Sequence, residues 1–269
     1  MNIYHYTDLN GLKGILSSNA FWATNFYFMN DAHELQHGVK CIENALGYLG
    51  GDLSEMRIDF IKESLKKYNP GDKFGYYNIS FCKNPDLLSQ WRGYGLKQGV
   101  CLEFDRDELL NCLDFKNRES SSGNVIYTDP DKTLKTKKEI INFFEKRIPF
   151  KNREHDGFAE LTNVHYFLDS VTPFFKHDTF QEEKEYRIVV KAAESSEDIQ
   201  FRVNEHGLIP YIVVGVNNKN PSNGILPLKS IKIGPCKNVE LVEKGIRLLL
   251  RSCKYYNVNI TTTKSPFRG

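Results

Sequence analysis

FQEEKEYRIVV, residues Phe180 to Val190, sets three acids (Glu182, Glu183, Glu185) against a run of β-formers, Tyr186 to Val190. A strand interior rarely holds a carboxylate unless it faces a partner or a cleft. Arg187 lies two residues beyond Glu185, and residues so spaced share one face of a strand. One reading is an edge strand carrying a surface ion pair. The other is a catalytic carboxylate presented at a strand start, with Arg187 keeping it ionised. In a regular strand Glu183 shares that face too, which makes it the internal rival of Glu185. With no cavity or strain implied, Glu185→Gln is expected to leave stability within about 1 kcal/mol.

The surrounding pattern is α+β. Ile3 to Tyr6 reads as a first strand, followed by a helix capped by Thr7 or Asp8 and ended by Asn19. Phe21 to Met29 reads as an aromatic strand. Helices follow from the Asn30-Asp31 cap to about Leu49 and from Leu53 to Tyr68. Strands are expected at Tyr76–Cys82 and Gly99–Phe104, with a short helix around Trp91 between them. Residues 105 to 178 read as polar and mainly helical, with a loop around Ser120-Ser121-Ser122-Gly123 and one strand at Val125–Tyr127. A charged loop, strands near Ile209–Val214 and Lys229–Ile233, a helix capped by Asn238 and an alternating strand at Tyr256–Ile260 complete the chain. No linker divides it, so residues 1–269 read as a single domain of short strands in two small sheets. Helical insertions are expected at about 31–69 and 105–178.

Composition excludes several classes. Hydrophobic residues make up 40% and charged residues 26%, the balance of a globular protein. A net charge of +2 gives no strong field for nucleic acid or a membrane surface. Six cysteines without a C-x-x-C pair point to a reduced, cytoplasmic protein rather than a disulfide framework. No signal-peptide pattern and no apolar run of about 20 residues is present.

His33-Glu34-Leu35-Gln36-His37 matches H-E-x-x-H, in which two histidines on one helix face bind zinc and the glutamate acts as base. Glu55 is the candidate third ligand of such a zinc hydrolase. The motif falls in the first turn after a helix cap rather than in a buried helix centre, so no stoichiometric metal is expected.

Several pieces together resemble a bacterial family known as domain of unknown function 2971. They are His5-Tyr6-Thr7, Phe28 to Asp31 with Glu34, Ser80-Phe81-Cys82, LLSQWRGYG (Leu87 to Gly95), GVCLEFD (Gly99 to Asp105), EKEYR (Glu183 to Arg187), IKIGP (Ile231 to Pro235) and KSPFR (Lys264 to Arg268). Their order runs from residue 5 to residue 268. More remotely, that order resembles the H-Y-E type of ADP-ribosyltransferase: a histidine on a first strand, a middle tyrosine or serine, and a late strand opened by glutamate.

The remote resemblance implies an ADP-ribosyltransferase-like fold and NAD as substrate, with the nicotinamide–ribose bond cleaved. It implies His5, Ser80 and Glu185 as catalytic residues. Tyr76, Tyr77 and Tyr94 compete with Ser80 for the middle position. NAD contacts are expected from His5, Tyr6, Thr7, Asn30, Asp31, Gln90, Trp91, Arg92, Tyr94 and Arg187. An oxocarbenium-like transition state calls for a carboxylate near the ribose, as in glycoside hydrolysis. The acceptor class is open between protein, nucleic acid and water. By analogy of fold, a toxin or phage-defence role follows. A non-enzymatic ligand- or partner-binding module on the same scaffold is the alternative. At Trp91, packing and a cleft wall stand level.

Overall fold

The computed structural model describes residues 1–29, 34–68, 74–94, 98–147, 157–204, 207–217 and 224–265. In chain order these form β1 (Asn2–Asp8), α1 (Leu9–Ser18), β2 (Ala20–Asn25), α2 (Glu34–Ala45), α3 (Glu55–Lys67), β3 (Phe74–Phe81) and α4 (Leu88–Tyr94). Then come β4 (Gly99–Asp105), α5 (Arg106–Cys112), β5 (Leu113–Asp114), β6 (Ser120–Asn124), β7 (Ile126–Thr128), α6 (Thr133–Arg147) and α7 (Gly157–Val171). The last are β8 (Phe175–His177), β9 (Tyr186–Ala193), β10 (Ile199–Asn204), β11 (Gly207–Val216), β12 (Leu228–Ile233), α8 (Val239–Ser252) and β13 (Asn259–Thr262). The α+β class expected from the sequence is borne out.

The strands form a four-stranded sheet, β1-β4-β12-β13, a seven-stranded sheet, β10-β11-β2-β3-β9-β6, with β5 added on β11, and a small β7-β8 pair. The expectation of two small sheets is therefore corrected: one sheet is large and a third pair exists. The two main sheets touch where Tyr4 and Cys82 exchange main-chain hydrogen bonds of 2.9 and 2.7 Å.

Alternation on β9 explains the layering. Tyr186, Ile188 and Val190 face the main apolar core, shared with Ile3, Leu102 and Phe104 of the four-stranded sheet and with α1 and α8. Val189 faces the opposite way, against Tyr76, Phe26, Leu35 and Phe174. Over that outer face lie α2, α3, α6 and α7, which share a second core including Ile42, Ile61, Phe144 and Phe167. The two helical segments expected as separate insertions thus pack into one layer.

Local signals explain most boundaries. The Asp8 carboxylate caps α1 through the Gly11 N–H, and Asn19 ends it in the left-handed region at φ 49°. Asn238 caps α8 through the Leu241 N–H. Three expectations fail. The aromatic strand stops at Asn25, whose side chain accepts from the Tyr27 N–H and starts a 3-10 turn. The serine-rich loop is instead β6, because β9 offers it a full antiparallel partner from Ser120↔Val190 to Asn124↔Tyr186. The charged loop contains β10, paired along β11. The edge-strand reading of Tyr186–Val190 is also overturned, since β9 lies between β3 and β6 and is buried along most of its length.

Candidate functional site

The site is built where the chain enters β9. A 3-10 turn, Asp178–Glu183, is closed by Lys184 at φ 44° and ψ 51°, so Glu183 never joins the strand. The Glu185 main chain is then pinned on both sides. Its N–H donates to the Tyr127 hydroxyl at 2.7 Å, and its carbonyl accepts from the Val125 N–H at 3.0 Å.

The Glu185 carboxylate, 5% exposed, is saturated. Oε1 accepts from the Ser80 hydroxyl at 2.5 Å and from Arg187 Nε at 2.8 Å. Oε2 accepts from Arg187 Nη2 at 2.9 Å and from Lys176 Nζ at 3.3 Å. Arg187 is fully buried and also donates to the Pro173 carbonyl at 2.7 Å and to Glu34. Lys176 reaches Glu183 at 2.8 Å and Glu34 at 3.2 Å. Three carboxylates therefore share two cations, and no member is left unpaired in a region where an unpaired charge would be costly.

The two nearby acids are driven in opposite directions. Burial pushes the Glu183 carboxyl up, against the pull of Lys176. Burial would push Glu185 up as well, but the charges of Arg187 and Lys176 overcome it and hold its carboxyl well below the usual range, at about 2. Separated proton affinities on adjacent carboxyls are the pattern by which sites divide acid and base duties. A pocket of about 180 Å³, walled by Lys83, Asn124, Tyr127, Gln181 and Lys184, opens on Glu185. It is smaller than the roughly 300–1,000 Å³ of a pocket that encloses a whole ligand.

Of the expected site residues, Ser80, Glu185 and Arg187 converge here, and Asn78 Nδ2 donates to the Ser80 hydroxyl at 2.6 Å. His5 comes close by a different route: its Nδ1 lies 2.9 Å from the Ser80 carbonyl, but its ring packs on Phe21 and Phe81 at 5.4 and 5.6 Å. Phe81 faces the main core, so His5 sits on the other side of β3 from the Ser80 hydroxyl. Burial there lowers its pKa and keeps the ring neutral.

Tyr6, Gln90, Trp91 and Arg92 belong to another neighbourhood. Trp91 is fully buried, 4.8 Å from the Tyr6 ring, and its Nε1 donates to Asp86 at 2.8 Å. Packing is therefore its role. The Tyr6 hydroxyl bridges the Asn84 carbonyl at 2.8 Å and the Leu87 N–H at 3.0 Å. Gln90 is half-buried on α4 and Arg92 exposed. The Thr7 hydroxyl lies over α1, where a Cβ on Gly11 would strike it. Tyr76 faces Tyr68 and Asp169, and Tyr77 lies in the main core. Asn30, Asp31, His33, the Tyr94 side chain and residues 266–268 lie outside the described residues. Of the zinc pattern, Glu34 turns to Arg187 and Lys176, His37 Nε2 lies 3.2 Å from the Thr128 carbonyl, and Glu55 is exposed on α3.

Sequence reasoning missed Lys176 and Tyr127. Both sit on the short β7-β8 pair, and a lysine flanked by Phe174, Phe175 and His177 was the available sign that it points inward.

A family described as protein of unknown function (DUF2971) matches residues 90–188, which supports the family resemblance expected from the motifs. The span contains Gln90 to Gly95 of the Trp91 motif, β4 and the Glu183–Arg187 motif. No curated protein and no solved structure matches the chain.

Proposed function

We propose that the chain is an enzyme of ADP-ribosyltransferase-like fold, cleaving the nicotinamide–ribose bond of NAD, with Glu185 stabilising the positive charge that develops at the ribose. The observation that carries this reading is the pair Glu183 and Glu185 on one lysine, the first pushed up by burial and the second held low by Arg187 and Lys176, beside a pocket. Ser80, fixed by Asn78, orients the Glu185 carboxylate. The 180 Å³ pocket takes one ring, so the rest of the dinucleotide extends over its open rim. The order of His5, Ser80 and Glu185 along the chain supports the same reading.

The test is nicotinamide release from NAD by the full chain, with protein, nucleic acid and water offered as acceptors. Glu185→Gln and Ser80→Ala are expected to lower release, the former by about 10²-fold or more. Glu185→Gln also breaks a buried ion cluster, so melting temperature is read alongside. Glu183→Gln, at a carboxylate that is 20% exposed, should keep the fold and remove one limb of the rate–pH profile.

A second reading has its own observation. Glu185 has every oxygen engaged and Arg187 is sealed from solvent, the arrangement of a clasp joining the helical layer to the sheet. No nicotinamide release by the wild type with any acceptor favours that reading, a non-enzymatic module on the same scaffold.

A further inference from the structure

The outer strand β6 borders a pocket of about 440 Å³, larger than the one at Glu185. One wall is six consecutive residues, 121 to 126. The facing wall is Lys135, Glu139, Asn142 and Phe143, spaced as one face of α6, and Phe174 lies at the base. The space is a slot between a sheet edge and a helix.

Register shows what the edge offers. Val125 N–H donates to the Glu185 carbonyl, and Lys191 N–H donates to the Glu119 carbonyl. In an antiparallel ladder residues alternate between bonding the partner strand and turning away. With residues 119, 121, 123 and 125 bonded to β9, Ser122 and Asn124 turn N–H and C=O outward into the slot. β6 has β9 as its single strand partner among the described residues. Unpaired main-chain donors and acceptors on an edge are a template for another strand.

Charge narrows the occupant. Lys135 is engaged with the Tyr127 carbonyl. Glu139, half-buried in the slot, has no ion pair among the described residues. We infer that the slot docks an extended peptide segment of a partner protein, which adds to β6 as a strand and places a basic side chain at Glu139. The slot and the Glu185 pocket share Asn124 and Val125, so a docked segment runs toward that carboxylate. That the segment is the acceptor of the proposed reaction rests on that reading; the docking does not.

The experiment is fluorescence anisotropy of the full chain, without NAD, using two labelled hexapeptides of alternating valine and threonine. One carries a central arginine and the other a glutamate. The arginine peptide should bind the wild type about tenfold more tightly, and Glu139→Gln should erase that preference. Asn124→Pro removes one outward N–H while sparing the β9 ladder, as proline is tolerated at such edge positions. It should weaken binding about fivefold or more with an unchanged melting temperature, while Asn124→Ala binds as wild type. Binding of neither peptide, or equal binding by Asn124→Pro and Asn124→Ala, overturns the proposal. Peptide binding without nicotinamide release upholds the slot and removes the acceptor role. Nicotinamide release without peptide binding sinks the slot alone.

Discussion

Two clusters, one around Glu185 and Arg187 and one around Trp91, solve different problems. At Glu185 and Arg187, five charged groups gather on the outer face of β9, each satisfied by another charge. At Trp91, one carboxylate, Asp86, is surrounded by neutral donors. It takes Trp91 Nε1, the Thr263 hydroxyl and the Lys264 N–H, with Lys232 3.8 Å away. The first cluster contains separated proton affinities and adjoins a pocket; the second ties β12, α4 and the C-terminal residues together. A motif that stands out in sequence can therefore mark chemistry or packing, and burial of the aromatic against burial of the charge tells them apart.

The contrast is broken most sharply at Arg187. Arg187→Met leaves Glu34 and Glu185 buried with Lys176 alone, and should cost about 3–5 kcal/mol by urea denaturation. A loss under about 1 kcal/mol would mean that the cluster is not formed in solution.

The aromatic cluster should fail through shape rather than charge. A Cβ on Gly234 would lie 2.8 Å from the Trp91 ring and 2.9 Å from the Gly99 carbonyl, which cannot move aside cheaply. Gly234→Ala should cost about 1–3 kcal/mol and shift tryptophan fluorescence. Unchanged emission and melting would show that Trp91 packs elsewhere.

Acid titration separates the clusters next. Glu185 ionises at about 2 when folded and near its ordinary 4.5 when unfolded, so its contribution is present above 4.5 and lost as pH falls toward 2. The unfolded chain binds the extra proton in that window, giving a slope of up to about 1.4 kcal/mol per pH unit. Denaturation curves between about pH 5 and about pH 2.5 should show a shallower fall in Glu185→Gln than in wild type; parallel curves would contradict the ionised assignment.

The smallest effect is expected at Asp86. Asp86→Asn keeps an acceptor for Trp91 Nε1 and removes a charge that sits mostly among neutral donors, so the loss should be about 1 kcal/mol or less. A loss matching that at Arg187 would erase the distinction between the clusters.

Much of the frame was legible. β9 was read from its β-branched run, the caps at Asp8 and Asn238 from side chains that bond nearby backbone, and the stop at Asn19 from its tolerance of the left-handed region. The pairing of Glu185 with Arg187 followed from strand alternation, although its burial did not, because that depends on the helical layer above. The same burial reverses the expectation that Glu185→Gln is nearly neutral for stability. β6 was hidden because Ser120 to Gly123 have the composition of a loop, and only β9 beside them makes them a strand. The role of Glu34 was out of reach for a related reason, since Arg187, its partner, lies 153 residues away.

The four-stranded sheet has a consequence for the time order of synthesis. β1 pairs with β4, and Asn2 bonds Glu103 across 101 residues of chain. At about 5–20 residues per second, β1 leaves the ribosome roughly 5–20 seconds before its partner. During that interval Ile3, Tyr4 and Tyr6 travel as an unpaired, aromatic strand, the kind of segment that recruits chaperones or neighbouring chains. β4 in turn waits for β12, as Glu103 pairs with Ser230. The sheet that carries His5 is therefore among the last parts of the molecule to close, and the speed of translation through α2 and α3 sets how long its first strand is left waiting.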